Sequence, residues 1–148
     1  MSGVLLERSI DRTKEFISFV VGNGESRHGF DLNLISSYDN WACNLSALDY
    51  DSTRAVAADR YIVTQLQDAG YTKDIITRGI NSNLVGGKNN VRFFPDLPYK
   101  GDHKYDQPIH WGTGLYAALM SCQLDVKMVV LLGFDLYGNV DDPNKINN

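Results

Sequence analysis

Short apolar runs alternate with polar segments along the chain, and most of these runs have the length of one β-strand. In residues 16–21 every side chain except one serine is β-branched or aromatic, and the run stops at Gly22. This composition is typical of a central strand that is buried on both faces. Similar runs predict further strands, the last of them also buried, at residues 38–43, 54–58, 74–77, 91–94 and 127–132.

Helical patterns fall between several of these runs. The apolar positions between residues 61 and 69 recur at helical spacing, Gly70 follows them, and Asp59 precedes them as a candidate N-cap. Residues 30–35 predict a short helix. Residues 114–124 are rich in Ala, Leu and Met, and they predict a helix that leads into the last strand.

Three segments lack a clear strand or helix pattern. Residues 79–90 are rich in Gly and Asn and predict a loop. Residues 95–108 turn polar between two prolines and predict a surface loop long enough to cover a site. Residues 1–15 are charged and weakly periodic, which is compatible with a partly ordered arm, a short helix or an edge element.

Strands that alternate with helices predict right-handed crossovers and a mostly parallel sheet flanked by helices. The chain has 148 residues, which is within the usual size of one domain, and no repeat or linker marks a second one. We therefore expect a single Rossmann-like α/β domain over residues 16–148, preceded by the arm or short helix of residues 1–15.

Composition narrows the possible functions. The hydrophobic fraction of 43% and the charged fraction of 22% are those of an ordinary globular protein. The net charge is −4 and Lys and Arg are scattered singly, which disfavours binding to a nucleic-acid backbone. The sequence contains neither a signal-peptide pattern nor an apolar run of membrane-spanning length, so a cytoplasmic location is expected. Cys43 and Cys122 each lie in an apolar stretch and are predicted to be buried thiols in a reducing compartment.

A ligand site is expected at the ends of the predicted strands. In open parallel sheets, ligands bind just beyond the carboxyl ends of strands, where helix N-termini offer unpaired N–H groups. Four candidate clusters occupy such positions: Gly22–Gly24, Asn44, Asp59 and residues 133–137. We therefore expect a phosphate or nucleotide site built on the glycine turn.

The run Gly22-Asn-Gly-Glu-Ser-Arg27 suits a phosphate because glycine lacks a Cβ atom and tolerates positive φ, while Ser26 and Arg27 can add donors. It is not a complete G-x-G-x-x-G pattern, since Arg27 takes the last position. The alternative interpretation is a tight connection without a ligand. Asn44 has the same ambiguity, because a turn or cap residue also suits its position.

The segment Trp111-Gly-Thr-Gly114 opens the last long helix. Thr113 can cap this helix, and Gly112 and Gly114 leave its N-terminus open to an anion. The alternative is an ordinary cap with glycines that serve packing. The aromatic residues Trp41, Phe93, Phe94 and Trp111 are interpreted as core residues or as support for a homo-oligomer.

The sequence does not favour a metal site. The histidines His28, His103 and His110 lack partners at the i, i+4 spacing of zinc ligands. The segment Asp49-Tyr-Asp51 matches the D-x-D pattern of metal-holding carboxylates, but acidic patterns this short are common in loops. His103 and His110 flank the long loop, so they are candidate acid–base residues.

Taken in order, the motifs Gly22-Asn-Gly-Glu-Ser26, Cys43-Asn44, Asp59, Gly112-Thr-Gly-Leu-Tyr116 and Gly133-Phe-Asp-Leu-Tyr137 resemble those of the bacterial sialyltransferases that use a CMP-sugar donor, and of related phage proteins. The resemblance covers residues 16–137. It implies a metal-independent glycosyltransferase without a cofactor, with a nucleotide sugar as co-substrate, in the cytoplasm of a bacterium or of a phage-infected host cell.

The resemblance also implies roles for individual residues. Asn23 and Asn44 correspond to asparagines that contact the nucleotide, and Asp59 stands where the family usually has a third asparagine. Thr113 corresponds to the hydroxyl residue that opens the last helix, and Tyr137 to the tyrosine that donates to the leaving phosphate. The candidate nucleotide contacts are Gly22, Asn23, Gly24, Ser26, Arg27, Asn44, Asp59, Thr113, Gly114, Asp135 and Tyr137.

One part of the family pattern is missing. The family's second phosphate-binding tyrosine and its general-base histidine come from a lid segment after the last motif, and residues 141–148 contain neither residue type. Four explanations are open: His103 or His110 replaces the base, a partner subunit supplies it, the chain is a truncated form, or the protein only binds its ligand. A structural or assembly protein, in which the glycine turns are merely turns, is a further alternative.

Overall fold

A six-stranded sheet lies at the centre of the computed structural model, which describes residues 11–84, 90–97, 102, 110–135, 138–139 and 142–146. Its strands are β1 (Ile17–Val21), β2 (Asp39–Cys43), β3 (Arg54–Val56), β4 (Ile75–Thr77), β5 (Val91–Phe93) and β6 (Met128–Leu132). All neighbouring strands in the order β5-β4-β3-β2-β1-β6 pair in parallel. The predicted Rossmann-like α/β fold is confirmed. Two further strands, β7 (Gly138–Asn139) and β8 (Asp142–Ile146), form a separate antiparallel pair.

The order in which successive strands are added to the sheet reverses at β1. From β1 the chain adds β2, β3, β4 and β5 on one side, then returns to place β6 on the other side of β1. In open α/β sheets such a reversal is a topological switch point, and ligands bind there because the flanking connections leave a crevice at the carboxyl ends of the strands.

Helices cover both faces of the sheet. The described α-helices are α1 (Arg60–Asp68), which buries Val63 and Leu66, and α2 (Thr113–Cys122), which packs against β1, β2, β3 and β6. Shorter 3₁₀ helices lie at Asp11–Phe16, Glu25–Arg27, Leu32–Ile35, Asn44–Leu48 and Gly79–Leu84. No helix in this described part of the chain has the length and apolarity needed to cross a membrane.

The core consists of two apolar clusters, one on each face. Val20 and Val21 are adjacent and fully buried, yet they belong to different clusters, because successive side chains of a strand point to opposite faces. Val21 packs in the cluster that contains Leu66 of α1, and Val20 in the cluster that contains Tyr116 of α2. Burial on both faces of β1 was predicted from its composition, and it is confirmed.

Three predictions about local environment are corrected. β6 is a strand but not a buried one: it lies at the edge of the sheet, where Met128 and Leu131 are 56% and 48% exposed. Cys43 is buried as predicted, whereas Cys122, the last residue of α2, is exposed. Part of the predicted loop at 79–90 is the 3₁₀ helix Gly79–Leu84, and residues 85–89 lie outside the described residues.

Candidate functional site

The predicted site residues meet at one edge of the sheet. Because the strands are parallel, their carboxyl ends lie along the same side, which we call the carboxyl edge. Gly22, Asn44, Arg78 and Gly133 directly follow β1, β2, β4 and β6 at this edge, and Asp59 lies three positions after the end of β3. Strand-end positions that are scattered in the sequence thus share one edge, as expected from the sequence.

Thr113 joins three elements at the carboxyl edge. Its hydroxyl oxygen accepts a hydrogen bond of 3.0 Å from the backbone N–H of Ala58 and donates one of 3.3 Å to Oδ1 of Asn44. The end of β2, the end of β3 and the start of α2 are therefore tied by one side chain. The prediction that Thr113 caps α2 is wrong, since Gly112 occupies the N-cap position and Thr113 is the first residue of the helix.

Asn44 has a left-handed backbone conformation, which is common at turn positions. Its φ is +56°, a value that asparagine tolerates better than most non-glycine residues. It begins the 3₁₀ helix Asn44–Leu48, where the Ser46 hydroxyl donates to the Cys43 carbonyl at 2.7 Å. Asn44 therefore lies in a turn, which places its carboxamide against Thr113, and its contact with a nucleotide stays a prediction.

The glycine turn is packed closely against the segment after β6. The N–H of Gly22 donates to the carbonyl of Leu132 at 2.7 Å, and the N–H of Gly24 donates to that of Gly133 at 2.8 Å. A Cβ atom on Gly22 would lie 2.5 Å from the Gly133 oxygen, and one on Gly24 would lie 2.5 Å from Cγ of Asp135. Both glycines are thus required by a close backbone approach within the protein itself.

Ser26 directs its donors to Asp135. Its backbone N–H donates to Oδ2 of Asp135 at 2.9 Å, and its hydroxyl donates to Oδ1 of the same carboxylate. The hydrogen bond from the Ser26 hydroxyl, followed by that from its backbone, holds the pKa of Asp135 below its ordinary value. In this arrangement both Ser26 donors are directed to a carboxylate of the chain, and the contact of Ser26 with a phosphate stays a prediction.

Arg27 is also engaged within the chain. Its Nη2 lies 2.9 Å from Oδ2 of Asp49, and its side chain is only 15% exposed. Its aliphatic part lies against Gly133, whose φ of +70° is one that glycine adopts without strain. Arg27 therefore pairs with Asp49 through Nη2, its Nε is buried without a hydrogen-bond partner among the described residues, and its contact with a phosphate stays a prediction.

The carboxylates of the D-x-D pattern have different partners. Asp49 pairs with Arg27, whereas Asp51 forms an ion pair with Lys73. Among the residues that the structure describes, no group of three or more His, Cys, Asp or Glu side chains is placed to hold a metal ion.

Asp59 occupies the N-cap position of α1, as predicted, but its carboxylate caps no backbone amide of that helix. Its backbone carbonyl accepts from the N–H groups of Ile62 and Val63 at 3.1 Å and 3.2 Å. The side chain is exposed at the carboxyl edge, directly after the Ala58 amide that Thr113 binds. A carboxylate is therefore available here where the resembling family has an amide.

Two polar residues near this edge were not among the candidates. Arg78 directly follows β4, and its Nη2 donates to the Trp111 carbonyl at 2.7 Å. The strand-end rule, applied after residue 77, would have found it. Asn81 is buried and donates to the carbonyl of Ala58 at 3.1 Å and to Oγ1 of Thr77 at 2.9 Å. Asn81 lies in a Gly- and Asn-rich segment, where no pattern distinguishes one asparagine from another.

Aromatic side chains pack against α2 near the same edge. The rings of Phe94 and Tyr116 stack with centroids 4.0 Å apart, and the Trp111 ring lies 5.8 Å from that of Tyr116. Burial raises the pKa of Tyr116. Gly114 lies close to the Phe134 ring, from which a Cβ atom on it would be 2.8 Å away. The core interpretation holds for Phe94 and Trp111, whereas Phe93 is 45% exposed.

The candidate catalytic residues are placed only in part. His110 is exposed and lies next to Trp111, just before α2. His103 and Tyr137 lie outside the described residues. The acid–base role of the two histidines and the phosphate contact of Tyr137 therefore stay predictions.

A shallow cleft of about 250 Å³ lies away from the carboxyl edge. Its lining includes Ser52 and Lys73, which precede β3 and β4, so it opens at the opposite, amino edge of the sheet. None of the candidate nucleotide contacts lines it.

Comparison of the chain with protein-family models, with curated proteins and with solved structures found no match.

Proposed function

We propose that the chain binds a nucleotide sugar at the carboxyl edge and is a small, metal-independent glycosyltransferase of the sialyltransferase-like kind, from a phage or a bacterium. The observation that carries the proposal is the contact between Asn44 and Thr113. The motif resemblance implies a separate nucleotide contact at each of these positions, which are 69 residues apart and within hydrogen-bond distance of each other.

The chemistry of this edge suits the uncharged part of a nucleotide. Asn23 and Asn44 present carboxamides, which both donate and accept hydrogen bonds. Asp59 presents only acceptors when ionised, so it suits ribose hydroxyls or an exocyclic amino group. Base and ribose of a nucleotide offer these complementary groups, which supports a nucleotide over free phosphate as the ligand.

The proposed transfer step needs no metal ion. Preorganised donors can stabilise the charge of a departing phosphate, and we assign this role to the Tyr137 phenol. His110 or His103 would accept the proton of the acceptor hydroxyl. In this scheme the bond between the sugar and the phosphate breaks, the acceptor oxygen takes the sugar, and CMP leaves.

A non-catalytic nucleotide-binding protein is the second candidate, and one specific observation favours it. Ser26 and Arg27, the expected phosphate donors of the glycine turn, are directed to Asp135 and Asp49. A protein with fewer phosphate donors stabilises a leaving phosphate less well, although it can still hold the nucleoside part.

A thermal-shift experiment on the full chain tests the binding proposal. CMP, CDP, UDP, GDP, ADP, S-adenosylmethionine and phosphate are compared with and without Mg²⁺. We expect stabilisation by CMP that does not need Mg²⁺ and is weakened by Asn23→Ala and by Tyr137→Phe, because a ligand that binds only the native state raises its melting temperature. A flat response to the whole panel would favour a structural or assembly protein.

A hydrolysis assay with a CMP-sugar donor then separates the two candidates. Release of CMP that is lost in Tyr137→Phe and reduced in His110→Ala supports the transferase. Binding of CMP with no turnover in the wild-type chain supports the non-catalytic binder.

A further inference from the structure

The Asp135 carboxylate binds the glycine turn at Ser26. Both of its oxygens accept hydrogen bonds from Ser26, one from the backbone N–H at 2.9 Å and one from the hydroxyl. Ser26 and Asp135 are 109 residues apart, so a distant segment, the one after β6, supplies the acceptors for the Ser26 donors. The donors of Ser26 are thus paired with an anionic group of the chain itself.

The turn is held at three successive points on the same side. Gly22 and Gly24 donate their N–H groups to the carbonyls of Leu132 and Gly133, and Ser26 donates to Asp135. Asn23 lies between the two clamped glycines and is half-buried. Because both neighbours of Asn23 donate backbone hydrogen bonds to the segment after β6, the backbone at Asn23 is held on both sides.

We propose that Asp135 is a positioning residue, which fixes the turn through Ser26 so that Asn23 is presented to the nucleotide at the carboxyl edge. The role in ligand binding rests on the proposed function. In this proposal the glycine turn positions one neutral side chain, that of Asn23, and its backbone does not bind a phosphate.

The groups around the Ser26–Asp135 contact, which we call the clamp, agree with this assignment. His28 favours the ionised form of Asp135, as does the backbone of Glu25. Arg27 lies against Gly133 but pairs with Asp49, so it does not neutralise Asp135. A phosphate next to Gly24 would approach the Asp135 carboxylate, and two anions in contact repel each other.

The test compares variants of the full chain by two independent measurements. The variants are Asp135→Asn, Ser26→Ala and Ser26→Thr, and the control is Asp51→Asn, which removes an exposed carboxylate paired with Lys73. The first measurement is the ¹⁵N–¹H spectrum, in which the side-chain amide of Asn23 and the backbone amide of Ser26 are followed. The second is the affinity for CMP by calorimetry.

We expect Asp135→Asn to move the Asn23 side-chain signals and to weaken CMP binding about tenfold, as loss of a hydrogen bond to a charged group would do. Ser26→Ala shifts the same signals to a smaller degree, Ser26→Thr restores them, and Asp51→Asn leaves them unchanged. If Asp135→Asn does not fold, the contrast between Ser26→Ala and Ser26→Thr gives the same information.

The outcomes distinguish the two proposals. Unmoved Asn23 signals in both Asp135→Asn and Ser26→Ala overturn the positioning role, whether or not CMP binds. Moved signals with unchanged CMP affinity overturn its link to the ligand. Moved signals in a protein whose wild type does not bind CMP confirm the positioning of Asn23 and refute the proposed function.

Discussion

The hydroxyl of Thr113 lies 3.3 Å from Oδ1 of Asn44 and also accepts the Ala58 N–H at 3.0 Å. A single buried oxygen atom thus links the first residue of α2 to the ends of two strands. The link explains why a short hydroxyl residue suits this position: it satisfies a buried amide and orients a carboxamide at the carboxyl edge.

Replacing Thr113 by Val should destabilise the protein by about 1–3 kcal/mol, because the shape is kept while the buried Ala58 amide loses its acceptor. Urea denaturation measures the effect. Thr113→Ser keeps the hydroxyl and is the matched control, for which we expect a smaller loss. Equal losses in Thr113→Val and Thr113→Ser would mean that the methyl group, and not the hydrogen bond, matters here.

Replacing Gly24 by Ala should cost about 1–3 kcal/mol, since the added methyl group forces the turn away from the segment after β6. The new Cβ atom would lie 2.5 Å from Cγ of Asp135 and 2.6 Å from the Gly133 oxygen. Gly79 has open space around the same atom, so Gly79→Ala is the control. A Gly24→Ala variant as stable as Gly79→Ala would show that the two segments are not in close contact.

The thiols should differ in reactivity, because burial raises the pKa of Cys43 to about 12 while Cys122 is exposed. At pH 8, we expect one thiol to react rapidly with a disulfide reagent in the native protein and a second one only in denaturant. Cys122→Ser should abolish the rapid phase. A rapid phase that persists in Cys122→Ser would contradict the burial of Cys43.

Acid should release the clamp at the glycine turn. The pKa of Asp135 is lowered in the folded state, chiefly by the hydrogen bond from Ser26, so its contribution is present above the pKa of the unfolded chain and is lost as pH falls through the folded value. The facing groups are Glu25, Arg27 and His28, and they are unchanged in Asp135→Asn. Melting temperatures from pH 7 to pH 2.5 should therefore converge between the wild type and Asp135→Asn. A constant difference over that range would contradict the linkage.

Because β6 lies at the edge of the sheet, its exposed positions should accept a charged residue with little loss of stability. Leu131 pairs in register with Val20, yet Leu131 is 48% exposed and Val20 is fully buried. We expect Leu131→Lys to change stability by about 0.5 kcal/mol, whereas Val20→Ala costs about 2 kcal/mol or more. A large loss in Leu131→Lys would show that another part of the molecule covers this strand.

Much of the fold was predictable from the sequence, because strand formation at a run such as residues 16–21 depends on local composition. The carboxyl-edge residues Asn44 and Asp59 were predictable for a related reason: in a parallel sheet the ends of successive strands meet at one edge, so position along the chain implies position in space. His103 and Tyr137 lie outside the described residues, and their roles stay predictions.

Strand order and side-chain partners were decided by the tertiary structure alone. The apolar composition of residues 127–132 suggests a buried strand, but its exposure depends on which strands flank it, and β6 lies at the edge of the sheet. Ser26 meets Asp135 across 109 residues, and Asn81 reaches Ala58 across 23. A local pattern determines where the backbone can extend or turn, whereas the donors that remain for a ligand depend on which distant groups the folded chain brings within hydrogen-bond distance.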